Sequence, residues 1–129
     1  QLSVTDMRIP IQYALTYPER MANSLAPIDF CKISRLDFQE PDFRRFPCLG
    51  LAYRAASEEG TTPAVLNAAN EVSVDEFLRN RLGFVSIPKV IEKVMDKHCN
   101  KIEPGLNDIL EADSWARTEA RKIIDKLHV

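Results

Sequence analysis

The stretch SIPKVIEKVMDKH, residues 86–98, constrains this chain more than any other. Ile87, Val90, Ile91, Val94, Met95 and His98 recur at the i, i+3, i+4, i+7 spacing of one helix face. A stripe that regular has to be buried, because a helix of this length holds its shape in water mainly by packing an amphipathic face. Ser86 is positioned to cap it. Gly83 breaks the pattern that precedes it, and the Pro-Gly pair inside NKIEPGLND breaks the pattern that follows.

Matching stripes lie on both sides. Upstream, Pro47 fits a first-turn position, Leu51, Ala52, Ala55 and Ala56 form a small-residue face, and Gly60 is placed to end that helix in a left-handed conformation. Thr62 then reads as an N-cap with Pro63 behind it, opening a helix to about Asn80 with Val65, Leu66, Ala69, Val72 and Phe77 on one face. Downstream, Leu106, Ile109 and Leu110 suggest a short apolar turn, and Asp113 reads as the cap of a last helix that turns Ala116, Ala120, Ile123, Ile124 and Leu127 inward. Lys122, Lys126 and His128 gather at its end, where the helix dipole favours cations. The fold class expected is therefore mainly α, with a bundle of about four helices over residues 46–129.

The first third of the chain reads differently. RIPIQYALTY carries Ile11, Ala14 and Leu15 at helical spacing between Pro10 and Pro18, which predicts one short amphipathic helix. Residues 18–45 carry several prolines and little periodicity, as an extended linker would. Within them Leu36 and Phe38 alternate with Arg35 and Asp37, the pattern of a strand near residues 33–38. A lone strand cannot satisfy its own backbone, so it has to complete a sheet made elsewhere, unless a bundle helix covers it. Together with Gln1 in place of an initiator Met, this predicts a piece of a longer polypeptide.

Composition excludes several function classes. Seventeen basic against nineteen acidic side chains leave a net charge of -2, with no global field to draw the chain onto nucleic acid or anionic lipid. No apolar run approaches the roughly eighteen residues of a membrane span, and no secretory signal opens the chain, which reads as soluble. Cys31, Cys48 and Cys99 are odd in number and too scattered for a disulfide framework or a zinc site.

No glycine-rich stretch has the spacing of a phosphate loop or dinucleotide turn, and no G-x-S-x-G or His-Glu-x-x-His occurs. His98 and Cys99 are adjacent, so on a helix they point about a hundred degrees apart and do not share a proton directly. His98 reads as a hydrogen-bonded core or rim histidine. Glu58, Glu59, Asp108, Glu111 and Asp113 lack the alternating oxygens and Gly turn of a calcium loop, and read as solvated surface or caps. The remaining oddity is the strip Asn67, Asn70 and Glu71, at i, i+3, i+4 on a helix otherwise rich in Ala and Val. It is either a structural strip bonded to neighbouring backbone or a carboxamide-carboxylate metal or sugar site.

The segments DMRIPI, PIDFCKISRLDF and FPCLGLAYRAASEEGTTPAVLNAANEVSVDEFL, in that order, resemble the C-terminal part of the 1-deoxy-D-xylulose 5-phosphate reductoisomerase family. The resemblance covers most of the chain and rests in the last forty residues mainly on helical pattern. It implies a longer oxidoreductase and isomerase, with an NADPH-binding domain and a catalytic domain preceding this region. That enzyme makes 2-C-methyl-D-erythritol 4-phosphate for isoprenoid precursor synthesis, with NADPH and Mg or Mn. Residues 1–17 would end the catalytic domain, 18–45 would be the linker whose strand joins the catalytic sheet, and 46–129 the C-terminal bundle. The resemblance further implies a homodimer, cytoplasmic in a bacterium or plastid-type in a eukaryote, without nucleic-acid or membrane partners.

Under the same resemblance the metal ligands, phosphate-binding residues and glycine-rich cofactor turn lie upstream, so this stretch alone is expected to hold no cofactor or metal, to contain no catalytic residue and to show no turnover. Met7 in TDMR matches a motif near the nicotinamide end of the cofactor, although Thr5 stands where the family commonly has proline; its other reading is a packing methionine. Asn67, Asn70 and Glu71 would tie bundle helices together and brace the catalytic domain. The rival reading is a stand-alone helical protein-interaction module whose polar strip binds a partner. An initiator Met close to Gln1 would favour the module; a glycine-rich turn and acidic metal ligands upstream would favour the enzyme.

Overall fold

The computed structural model describes residues 3–127, so His128 lies outside the described residues. The chain divides into two compact units, residues 1–40 and 41–129.

The first unit contains α1 (Arg8–Thr16) and the single-turn α2 (Phe30–Ile33). Asp6 sets up the start of α1: its carboxylate accepts from Arg8 N at 2.9 Å and from Arg8 Nε at 3.0 Å. This side-chain bonding to the Arg8 guanidinium holds the Asp6 carboxyl down at about 2. Ile11 and Leu15 of the expected apolar face are 52% and 81% exposed, and α1 buries no residue. The return of the chain is tied to α1 by Gln12 Nε2, which donates to the Ala22 carbonyl at 3.1 Å, and by Asn23 Nδ2, which donates to Gln12 Oε1 at 3.2 Å.

The strand expected near residues 33–38 is not formed, and no strand occurs among the described residues. Asp29 instead accepts from Cys31 N at 3.0 Å and Lys32 N at 3.2 Å, nucleating α2, and Ser34 stops it with a positive φ of 58°. Leu36 and Phe38 follow in irregular backbone, 56% and 87% exposed. The physical reason is the one that made the strand conspicuous: without a neighbouring ladder its backbone gains nothing from extension.

The second unit is a bundle of α3 (Pro47–Glu58), α4 (Thr62–Leu78), α5 (Ile87–Lys97) and α6 (Leu106–Asp125), with a 3-10 turn at Phe84–Ser86. The central helix is α4, which packs on α3, α5 and α6. The helices α4 and α6 pack on each other, and the residues they bury include many small ones, Ala68 and Ala69 on the first and Ala112, Ala116 and Ala120 on the second. The stripe of α5 supplies the bulk: Ile87, Val90, Ile91, Val94 and Met95 are all buried. Buried Ser73 satisfies itself by donating to the Ala69 carbonyl one turn back, at 2.7 Å.

Several boundaries differ from the sequence reading. The expected apolar turn and the last helix are one helix, and Asp113 lies inside α6 instead of capping it. The start comes earlier because Gly105 is extended and its N–H donates to the Asp108 carboxylate at 2.8 Å, while nothing between Leu106 and Asp113 breaks the helix. Leu127, expected inward, lies beyond α6 and is 44% exposed. On α3 only Leu51 and Ala55 are buried; Ala52 and Ala56 face solvent. Thr61, and not Thr62, occupies the N-cap position of α4, and it makes no side-chain cap bond because its hydroxyl bonds the α5–α6 loop.

Candidate functional site

Two polar clusters stand out on the bundle. The first is the strip on α4. Asn67 and Glu71 are exposed and Asn70 is half-buried, so the strip lines the surface and not the core. Its bonds run to side chains and not to the loop backbone expected. Asn67 Nδ2 donates to Glu71 Oε1 at 3.1 Å, and Arg117 of α6 donates through Nη2 to Glu71 Oε2 at 2.6 Å. Arg117 also donates through Nε to Asp113 Oδ2 at 2.8 Å, so one guanidinium bridges α4 to α6. Bonding to Arg117 lowers the Glu71 carboxyl below its usual range, and Asp113 and then Glu71 raise the Arg117 guanidinium. The Asn70 side chain makes no hydrogen bond among the described residues.

The second cluster was not legible as a unit in the sequence. It locks the α3–α4 turn to the α5–α6 loop. Thr61, 2% exposed, donates its N–H to Asn100 Oδ1 at 2.9 Å, and its hydroxyl accepts from Lys101 N at 3.1 Å. The same hydroxyl lies 2.7 Å from His98 Nε2. Asn100 Nδ2 donates to the Glu58 carbonyl at 3.0 Å, satisfying an end of α3. Gly60 makes the approach geometrically possible: its φ is +61°, and a Cβ there would fall 2.6 Å from Asn100 Oδ1 and closer still to the Lys101 carbonyl. The His98 ring lies against Trp115, tilted by 38° with ring centroids 5.4 Å apart, and burial pushes its pKa below the ordinary value. His98 is thus a hydrogen-bonded rim residue at the C-cap of α5.

Asp108 and Glu58, among the other candidates, have structural partners. Asp108 pairs with Lys101 at 2.7 Å, and Glu58 with Arg54 at 2.7 Å, which also reaches Asp96 at 2.6 Å. Cys31, Cys48 and Cys99 are free and exposed. Among the described residues no group of three or more His, Cys, Asp or Glu is placed to hold a metal ion, so the side chains present do not fit a divalent-metal site. Met7, in the first unit just before α1, is 71% exposed. No described helix is long and apolar enough to cross a membrane.

Four helices joined by polar clusters, with a separately folded first unit whose apolar residues are largely exposed, define the class as a mainly α domain. The chain belongs to the DXP reductoisomerase C-terminal domain family, which its residues 2–119 match. It is 53% identical over 127 residues to the 1-deoxy-D-xylulose 5-phosphate reductoisomerase of Pelotomaculum thermopropionicum, across 98% of this chain and 33% of that protein. To the Acetivibrio thermocellus enzyme it is 50% identical, across 96% of this chain and 32% of the relative. Among solved structures, the Zymomonas mobilis reductoisomerase in complex with NADPH superposes with a TM-score of 0.86 at 39% identity, covering 96% of this chain and 33% of that one. A structure of DOX-P reductoisomerase in complex with NADPH, fosmidomycin and magnesium gives a TM-score of 0.83 at 32% identity, covering 99% of this chain and 34% of that one. The chain therefore spans about a third of the length of the relatives it matches.

Proposed function

We propose that this chain serves as the C-terminal supporting part of an NADPH- and divalent-metal-dependent 1-deoxy-D-xylulose 5-phosphate reductoisomerase. The observation that carries the reading is agreement at two levels over nearly the whole chain, 53% sequence identity with one relative and a TM-score of 0.86 with a second. The whole enzyme converts 1-deoxy-D-xylulose 5-phosphate into 2-C-methyl-D-erythritol 4-phosphate, using hydride from NADPH with Mg or Mn. It acts as a homodimer in the bacterial cytoplasm, or in a plastid-type organelle if the source is eukaryotic.

Within that enzyme this stretch contributes support. Residues 1–17 finish the catalytic domain, 18–45 link it to the bundle, and Leu36 and Phe38 join the catalytic sheet as a strand once a neighbouring edge is available. Met7 lies against the nicotinamide end of the cofactor, where an exposed thioether supplies apolar contact without competing for protons. Asn67 and Glu71 hold α4 to α6 through Arg117, and Asn70 is the member of the strip left to bond the catalytic domain.

The test compares NADPH oxidation driven by 1-deoxy-D-xylulose 5-phosphate in the full enzyme and in this chain alone. Turnover by the full enzyme and none by the isolated chain is the expected result. A full enzyme without that activity, or an isolated chain possessing it, overturns the reading. Met7→Ala in the full enzyme should raise KM for NADPH while leaving the melting temperature unchanged; an unchanged KM removes Met7 from the site.

A further inference from the structure

Between the segment that enters α3 and the turn that enters α5 the bundle has an apolar groove of about 640 Å³. Leu51 and Ile87, both buried, form its bottom. Its sides are far more open: Phe43, Phe46, Phe84 and Val85 are 50%, 59%, 70% and 72% exposed. Phe84 is braced from behind by Phe77, with ring centroids 5.7 Å apart, so the exposed ring is held in place. Four large apolar side chains held open around one depression are a mark of a docking surface.

The charges at the rim indicate the occupant. Arg44, Arg45 and Lys89 line the groove against a single acid, Glu92. Of the other bundle cations, Arg54, Arg79, Arg81, Lys97, Lys101 and Arg117 are paired, while Lys93, Arg121 and Lys126, away from the groove, form no ion pair among the described residues. Arg44, Arg45 and Lys89 make no ion pair among the described residues. Small-molecule pockets of this size hold a few inward polar groups that fix orientation, whereas here the bottom is aliphatic and the charges sit outside it. That arrangement suits peptide side chains entering the groove with acidic residues flanking them.

We infer that this groove seats a segment of the same reductoisomerase chain that lies outside residues 1–129, with apolar anchor side chains flanked by acidic ones. The inference rests on the reductoisomerase reading. About two thirds of each relative's length lies beyond the matched region, so a covalently attached occupant is present at high effective concentration and loses little freedom on docking. No separate partner has that advantage.

The test uses the full enzyme with a photo-reactive benzoylphenylalanine at Val85, on the groove's open side. After irradiation and digestion, cross-linked peptides are identified by mass spectrometry from a mixture of isotopically light and heavy protein. The expected result is a cross-link within one polypeptide, to an acidic, apolar segment outside residues 1–129. Its yield should fall about tenfold when Arg44→Glu and Lys89→Glu are combined, because like charges then face each other. Cross-links joining light to heavy chains, cross-links confined to residues 1–129, no cross-link, or a yield indifferent to charge reversal would each overturn the inference. Turnover of 1-deoxy-D-xylulose 5-phosphate by the unmodified enzyme is read separately. An active enzyme with the wrong cross-link removes the groove proposal alone; an inactive one removes the reading beneath it.

Discussion

Between Leu51 and Ile124 seventeen apolar side chains are buried, while in the unit formed by residues 1–40 no described apolar residue is, and Ile11, Leu15, Phe30, Leu36 and Phe38 are all more than half exposed. The two units do not differ in having apolar side chains. They differ in whether each stripe has another stripe to meet. The stripe on α5 finds α4, α6 and α3, each with its own buried face, and four such faces close on one another. The stripe on the nine-residue α1 has only the one-turn α2 as helical company in its unit. Apolar residues become core only where a second apolar surface is supplied, and within residues 1–40 none is supplied.

Truncations should separate the two units most widely. Ile91→Ala removes a side chain 2% exposed at the bundle centre and should destabilise it by about 3 to 4 kcal/mol, from lost transfer energy and the cavity left behind. Leu15→Ala, at 81% exposure, should change stability by less than about 0.5 kcal/mol. Urea titrations of the two variants measure both; equal losses would erase the contrast.

Next in size is Gly60→Ala. It forces a side chain into positive φ and into the Lys101 backbone, and should cost about 2 to 3 kcal/mol by loosening the α3–α4 turn from the α5–α6 loop. A variant melting with the parent protein would show that the interlock carries no stability. Arg117→Ala should cost less, because the guanidinium and its partners are partly solvated. The loss should shrink as salt is added, and a loss that salt leaves untouched would point to packing by the arginine stem instead.

His98 gives the interlock a pH dependence whose sign is fixed. Burial lowers its folded pKa below the ordinary 6.5, with Glu58 opposing more weakly, so the folded state binds its proton less readily than the unfolded chain does. The stability it contributes is complete above about pH 6.5 and is lost as pH falls through the folded value. Denaturation midpoints between about pH 7 and 5 should fall less steeply in His98→Gln than in the parent protein. Parallel slopes would assign the acid sensitivity to another group.

How far these features were legible depends on their range along the chain. The α5 stripe could be read because five buried residues repeat within eleven positions. The start of α6 was misread because Asp113 suits a cap as well as a helix interior, and only its bonding to Arg117 four residues on shows which role it takes. Choosing Leu51 and Ala55 over Ala52 and Ala56 needed the neighbours' positions, since alanine marks neither face. The Thr61 interlock joins residues 37 to 40 apart through one side chain-to-side chain contact with His98 and through bonds between side chain and backbone, which leave no periodicity; its one local trace is Gly60 beside a threonine. Glu71 and Arg117 are 46 residues apart, and only their opposite charges on facing helices hint at the pair.

The smallest expected effect decides what the first unit is for. Phe38→Ser changes a side chain 87% exposed, so in this chain alone the melting transition of the bundle should not move beyond about 0.5 kcal/mol. In the full reductoisomerase the same substitution should lower the melting temperature and the turnover together, because Phe38 would there lie on a strand against the catalytic sheet. Ser keeps an extended conformation accessible, so a loss would report missing apolar contact and not a blocked strand. Phe30→Ser is the control: it lies in α2, at 56% exposure and away from the alternating Leu36 and Phe38, and should reproduce the first result without the second. If both variants leave the full enzyme untouched, the exposed residues of the first unit are surface in every context, and the difference between the two units reflects helix length alone.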